Sequence, residues 1–149
     1  MTVALKHVAS GTGTTYNVIG GDQITIKAES SDTGGAFTVL ETVTPPQAGP
    51  PPHLHKFEDE SFYVLDGEFE FQIGDTVIAA RTGSFVMAPR GVPHRFQNVG
   101  TTPGKLLVIC QPGGFERFVI DFAALPPDEP PDYPQMSAIA ERYGIEFVT

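Results

Sequence analysis

His53 and His55 stand one residue apart, Glu60 follows five residues after His55, and a further imidazole, His94, lies downstream in "APRGVPHRFQN". In a strand, side chains at i and i+2 share a face, so His53 and His55 point the same way with their rings close together. Glu60 has the wrong parity to continue that strand. The intervening "KFED" must therefore turn or bulge, and Glu60 begins a new strand in phase with Phe62 and Val64. Three imidazoles and a carboxylate suffice to hold one divalent transition metal per chain and leave positions open for a substrate or dioxygen. Iron, manganese, nickel, cobalt, copper and zinc all suit such a set. Glu58 and Asp59 flank Glu60 and compete for the carboxylate place.

The elements that must position these residues read as sheet. "YNVIG", "DQITIKA" and "AFTVLETV" alternate with period two and are broken by Gly20-Gly21 and Gly34-Gly35, which predicts strands joined by tight connections. "TPPQAGPPP" holds five prolines and so lacks the donors of a central strand; an extended connector is expected to deliver the chain to His53. "EFEFQIGDTVIAA" alternates charged or polar with apolar residues and turns at Gly74-Asp75, the pattern of a half-buried hairpin. "SFVMAP", "HRFQNV" and "KLLVICQ" follow at sandwich or barrel spacing, for eight or more strands in all.

Near the end the period changes. Phe115, Phe118, Val119 and Phe122 are spaced i, i+3, i+4, i+7, as on an amphipathic helix. After "LPPDEPPDYP", Met136, Ile139, Ala140 and Tyr143 repeat that spacing, with Gly144 as a helix-terminating glycine. Two short helices are expected to pack outside the sheets.

Composition narrows the function. At 149 residues the chain fits one domain. Its 40% hydrophobic content, sixteen glycines and fourteen prolines favour a β-rich fold over a helical bundle. Nine basic against eighteen acidic residues give a formal charge of −9 with no Lys/Arg run, which disfavours nucleic acid and anionic membrane surfaces as partners. The single cysteine, Cys110, forms no intrachain disulfide and reads as a buried, unreactive thiol inside "KLLVICQ". No signal-peptide pattern or membrane-length apolar run is present, so the cytoplasm is the expected location. His7 reads as a surface or core-edge residue, and Arg95, opposite in parity to His94, as pointing away from the ligands.

Two interlocking patterns resemble the cupin superfamily. The first, H-x-H, four residues, E, six residues, G, is met by His53, His55, Glu60 and Gly67; the second, G, five residues, P-x-G, two residues, H, three residues, N, by Gly83, Pro89, Gly91, His94 and Asn98. One departure is Gln47, which stands where the first pattern usually opens with glycine; the nearest glycine is Gly49. That spacing selects Glu60 over Glu58 and Asp59, which become solvated loop charges.

The resemblance implies an all-β fold, a cupin double-stranded β-helix or antiparallel jelly-roll barrel, with a core over about residues 16–111 and a helical C-terminal extension over about 113–149. It also implies a metal inside the barrel on His53, His55, Glu60 and His94. Phe62, Val64 and Phe96 share faces with ligands and are expected to line a dry, aromatic pocket, with Phe85 and Met87 as further lining residues. "GPPPHLHKFEDESFYVLDGEFEF" and "LLVICQPGGFERF" resemble the small single-domain proteins grouped with quercetin 2,3-dioxygenases. On that resemblance the protein is a metal-dependent dioxygenase of a flavonol-like or other enolisable aromatic. Glu60 is its catalytic base as well as a ligand, and dioxygen a co-substrate. The alternatives are a metal-dependent isomerase, decarboxylase or cyclase, and a non-catalytic cupin that binds a metal or metabolite. A homodimer is expected because small cupins are commonly dimers.

Overall fold

The computed structural model describes residues 3–18, 20–126 and 132–148. Eleven strands among them form two antiparallel sheets. The first sheet takes β1 (Thr14–Asn17), β2 (Gln23–Ala28) and β3 (Thr38–Thr44), continues through β10 (Gly104–Gln111) and β5 (Asp59–Asp66), and ends on β8 (Phe85–Ala88). The second runs β11 (Ile145–Phe147), β4 (His53–His55), β9 (His94–Asn98), β6 (Glu68–Ile73), β7 (Thr76–Arg81). Consecutive strands β4 and β5 lie in different sheets, as do β8 and β9, and this crossing between layers is the jelly-roll pattern expected from the sequence.

Alternation decides which face turns inward. Along β3, Thr38, Leu40, Thr42 and Thr44 are buried and the residues between them are half-buried; along β5, Glu60, Phe62 and Val64 are buried. The inner faces meet through Leu40, Phe62, Val64, Phe69, Phe71 and Leu106, each no more than 1% exposed. Removing one such side chain from water contributes about 2 kcal/mol. Phe62, Phe71 and Phe96 interlock with ring centroids 5.0 to 5.9 Å apart, in tilted and edge-on arrangements that suit aromatic quadrupoles. The predicted β6–β7 hairpin is present with Ile73 opposite Thr76 across Gly74-Asp75.

The proline-rich connector brings β3 to β4 through a strained residue. Gln47, at the position where the family usually has glycine, adopts φ 66°, a left-handed conformation that costs a non-glycine residue about 1 kcal/mol. Backbone contacts hold it there: its N–H donates to Asn98 O at 2.8 Å, and Gln97 Nε2 donates to its carbonyl at 3.0 Å. Two residues on, Gly49 lies against β9, where an added Cβ would stand 2.0 Å from Phe96 O. Asn98, the closing residue of the second pattern, is structural. Its Nδ2 donates to Thr44 O and Thr102 O, and its Oδ1 accepts from Gly100 N, all at 2.9 Å.

Helices α1 (Phe115–Ala123) and α2 (Tyr133–Arg142) form where the apolar spacing predicts, and Gly144 ends the second with φ 71°. The linker "LPPDEPPDYP" lies partly outside the described residues. The helices are not simply an outer layer, as the sequence suggested: Phe115, Phe118, Val119, Phe122 and Met136 wall the interior cavity. A carboxylate invisible to pattern reading pins α1 in place. Buried Glu116 accepts from Ser30 N (2.7 Å), Thr38 Oγ1 (2.7 Å) and Gly114 N (3.0 Å), and from the Ser30 hydroxyl. The tail also returns to the sheet. β11 pairs with β4, Ile145 opposite His55 and Phe147 opposite His53, so the strand carrying two candidate ligands is held on one side by β9 and on the other by the C-terminal segment.

Candidate metal centre

Four side chains converge where β4, β5 and β9 meet inside the barrel. His53 and His55 come from one face of β4, as parity requires; β9 lies beside β4 with His94 opposite His53; and Glu60 reaches across from β5 in the other sheet. "KFED" makes the expected turn, with β5 starting at Asp59 and resetting the phase. The ring centroids of His53, His55 and His94 stand 4.5 to 5.5 Å apart. All four side chains are at least about nine-tenths buried, and one ligand atom from each falls within 4.8 Å of the others.

The outward-facing ring nitrogens are taken. His53 Nδ1 donates to Pro51 O at 2.8 Å, His55 Nδ1 to Glu58 Oε2 at 3.3 Å, and His94 Nδ1 faces Val92 O at 3.2 Å. Such bonds fix ring orientation and direct each Nε2 toward the centre, as around a metal. His94 Nε2 stands 2.8 Å from Glu60 Oε1, whereas His55 Nε2 is buried with no hydrogen-bond partner, 3.6 Å from the same oxygen. An orphaned buried imidazole nitrogen costs roughly 1–3 kcal/mol unless something else binds it. Donors sharing one first-row metal stand about 3–4 Å apart, given bonds near 2.1 Å. The observed spread, all within 4.8 Å, lies close to that range. The donor set therefore fits a divalent cation.

The electrostatics agree. Burial pushes the His53 pKa down, and repulsion from His94 and His55 lowers it further, to about 3, so this ring is a neutral donor. Burial also disfavours the charged form of His55, but Glu60 and then Glu58 outweigh it and raise the pKa. Burial alone would raise the Glu60 pKa; the His55 charge, the His94 hydrogen bond and His53 instead draw it down to about 2, leaving an ionised carboxylate.

Two residues near the centre differ from their sequence readings. Glu58 is not a solvated loop charge: it is 5% exposed and bonded to His55, because the turn at residues 56–57 folds its side chain back under β4. Its spacing of three from His55, across a turn, is the signal that could have found it. Cys110 is the buried thiol expected, but its Sγ lies 3.6 Å from Glu60 Oε2 and donates to it. Burial and then the nearby Glu60 and Glu58 charges raise the Cys110 pKa, which keeps it a thiol. Asp59 is bound by Arg90 through backbone and guanidinium, Arg95 pairs with Gln72 and Glu70 away from the centre, and His7 is exposed.

A cavity, open on one side, begins at His53 and Glu60. Phe62 and Phe96 line it, and α1, α2 and β11 contribute further walls. Three expected lining residues are corrected. Val64 is wholly buried in the core and does not reach the cavity. Phe85 and Met87 are 64% and 53% exposed, because their parity on β8 turns them to the outer face while Val86 and Ala88 point inward.

Comparison with known proteins agrees with this architecture. Residues 39–110 match the family model described as Cupin domain. The chain is 36% identical over 55 residues to Protein SchB of Streptomyces halstedii, covering 37% of this chain and 40% of that one. It is 28% identical over 99 residues to quercetin 2,3-dioxygenase of Bacillus subtilis, covering 66% of this chain and 29% of the relative. It therefore spans well under half the length of these curated relatives. An RmlC-like cupin from Shewanella frigidimarina superposes with a TM-score of 0.66 at 16% identity, over 78% of this chain and 99% of that one, a likeness of fold.

Proposed function

From a chain whose residues 39–110 match the Cupin domain model, we propose a metal-dependent dioxygenase acting on a flavonol-like or other enolisable aromatic small molecule. The observation that carries this reading is a largely apolar, aromatic cavity that opens directly onto His53 and Glu60. Its lining, mostly apolar and aromatic with a few polar side chains, has the composition of small-molecule sites. The partial likeness to quercetin 2,3-dioxygenase supports the substrate class.

His53, His55, Glu60 and His94 would hold the metal, which when bound supplies a Lewis acid that acidifies a chelating hydroxyl and places the substrate beside dioxygen. Phe62 and Phe96 hold the ring system, and the walls from α1 and α2 exclude water from it. Glu60 faces the cavity and takes the proton of the substrate hydroxyl at a carboxylate oxygen, while the Cys110 thiol helps to fix its orientation. A carboxylate held near pKa 2 is a weak base, so the transfer depends on the hydroxyl being acidified at the same time. The substrate enolate plus one dioxygen then gives a ring-opened ester and one carbon monoxide.

The test is elemental analysis of protein purified without chelators, followed by oxygen-electrode assays on a flavonol panel. One metal per chain and flavonol-dependent oxygen uptake with carbon monoxide release are expected. Turnover that persists without oxygen would replace this reading with an isomerase, decarboxylase or cyclase. Thermal stabilisation by ligand without product would replace it with a binding module. In Glu60→Gln, metal retention with lost turnover is expected, and full activity would remove the base role.

A further inference from the structure

Among the described residues, four side chains carry buried polar atoms without a hydrogen-bond partner: His55, Asp22, Thr42 and Thr44. The first belongs to the metal centre. The other three form one cluster on the inner face of the first sheet: Thr42 and Thr44 alternate inward on β3, and Asp22 immediately precedes β2, whose Gln23 pairs with Val43. Asp22 is 7% exposed and its Oδ1 is sealed from water. Buried polar groups are nearly always bonded to protein or ordered water; the Thr44 hydroxyl lies beside the Asp22 carboxyl, but the cluster still has bonding capacity for a further partner.

The cavity supplies the place for one. Of the described side chains lining it, only His53, Glu60, Asp22 and Thr42 are polar, and they fall into two pairs. Strand register separates the pairs. Glu60 lies level with Cys110 and Thr38; the next inward row is Phe62, Val108 and Leu40; Thr42 lies in the row beyond, with Leu106 and Val64. Two rows are four residues, about 13 Å along the strands. The cavity is thus an apolar passage with a cation-binding pole at one end and an unpartnered carboxylate and hydroxyl at the other.

We propose that Asp22 and Thr42 form a second recognition site in this cavity, which accepts a hydrogen bond from a hydroxyl at the far end of an elongated, otherwise apolar aromatic ligand. The proposal deepens the reading of the cavity as a substrate site and rests on it. Asp22, as the acceptor, selects ligands with a donor at the end distal to the metal. Thr42 accepts or donates as the ligand requires. A site built to bond a hydroxyl discriminates against the analogue lacking it, because the buried acceptor is then left unpaired.

The test titrates 2-naphthol and naphthalene, which differ by one hydroxyl, into the full chain as purified and after chelator treatment. Wild type is compared with Asp22→Leu and Thr42→Val. The expected preference for 2-naphthol is about 10-fold in wild type, the scale of a hydrogen bond to a charged acceptor. It should fall below about 3-fold in Asp22→Leu, weaken in Thr42→Val, and be unmoved by chelator, with naphthalene affinity retained throughout. Equal affinity for the two probes in wild type overturns the proposal, since the cluster then holds water only. So does a preference that survives both substitutions or vanishes with the metal, which would place the hydroxyl at the His53–Glu60 pole. Failure of both probes to bind wild type overturns it as well, because the passage would not admit fused rings. Should Asp22→Leu not fold, Asp22→Ala and Thr42→Val carry the same comparison. No arm depends on oxygen uptake, so loss of the dioxygenase reading and loss of this site are separate results.

Discussion

The two polar ends of the cavity are built in opposite ways. At the candidate metal end nearly every polar atom that faces away from the centre has a protein partner: Pro51, Glu58 and Val92 hold the histidines, and Cys110 holds Glu60. At the Asp22 end the protein supplies burial without partners. The difference follows from what each end must hold. A cation needs several donors fixed at once within a few tenths of an ångström, and only a braced set does that. A single ligand hydroxyl needs one free acceptor, and bracing that acceptor with protein donors would use up its capacity.

The largest expected effect comes from breaking the braced end directly. His55→Ala or His94→Ala removes one of four donors, and metal affinity should fall by more than about 100-fold, read by elemental analysis after dialysis. Retained stoichiometric metal would show that the cluster is not the site. Glu58→Gln weakens the brace and leaves all four donors in place. The His55 ring loses its charged acceptor, and metal affinity should drop roughly 10- to 100-fold with the fold intact. An unchanged affinity would reduce Glu58 to a bystander.

The Asp22 end responds with the opposite sign. Burial raises the Asp22 pKa to about 6, offset only in part by Thr44, whose hydroxyl is beside it without a formed hydrogen bond. An unfolded aspartate titrates near 3.9, so the folded state holds this proton more tightly. The stabilising contribution of the protonated form is full below about pH 3.9 and is lost as pH rises through about 6. Asp22→Asn should therefore stabilise the protein by about 1–2 kcal/mol above pH 7 and by almost nothing near pH 4, measured by denaturant titration at both pH values. A destabilised variant at neutral pH would mean that Asp22 serves the fold and not a ligand.

The smallest effect sharpens the role of the connector that leads to the braced end. Gln47→Gly relieves a left-handed residue and should stabilise by about 0.5–1 kcal/mol in the same titrations, with metal content unchanged. A loss of metal would show that the Gln47 side chain, whose Nε2 donates to Gly100 O, also sets the position of β4.

The braced end was largely legible in the sequence and the other end was not. Histidines with a glutamate at fixed spacing carry chemistry in their residue types, and strand parity then assigns a face to each, so His53, His55, Glu60 and His94 were visible before any coordinates. Phe62 and Phe96 followed from the same parity. Glu58 was misread because a turn reverses the chain locally and no periodicity applies within it. Phe85 and Met87 were misassigned because an apolar residue on an edge strand satisfies the same alternation whichever face it occupies. Asp22, Thr42, Thr44 and Glu116 are common residue types scattered along the chain.

The sequence by itself determined the strand alternation, the two helices and the four candidate metal donors, because each rests on local periodicity or short spacing. Tertiary structure alone decided which sheet each strand joins, that β11 closes against β4, and that the helices wall the cavity. It alone brought Cys110 beside Glu60 and placed Asp22 at the far end of the passage from it. These depend on contacts between residues dozens of positions apart. Such contacts are set by the packing of whole sheets, which no local pattern encodes.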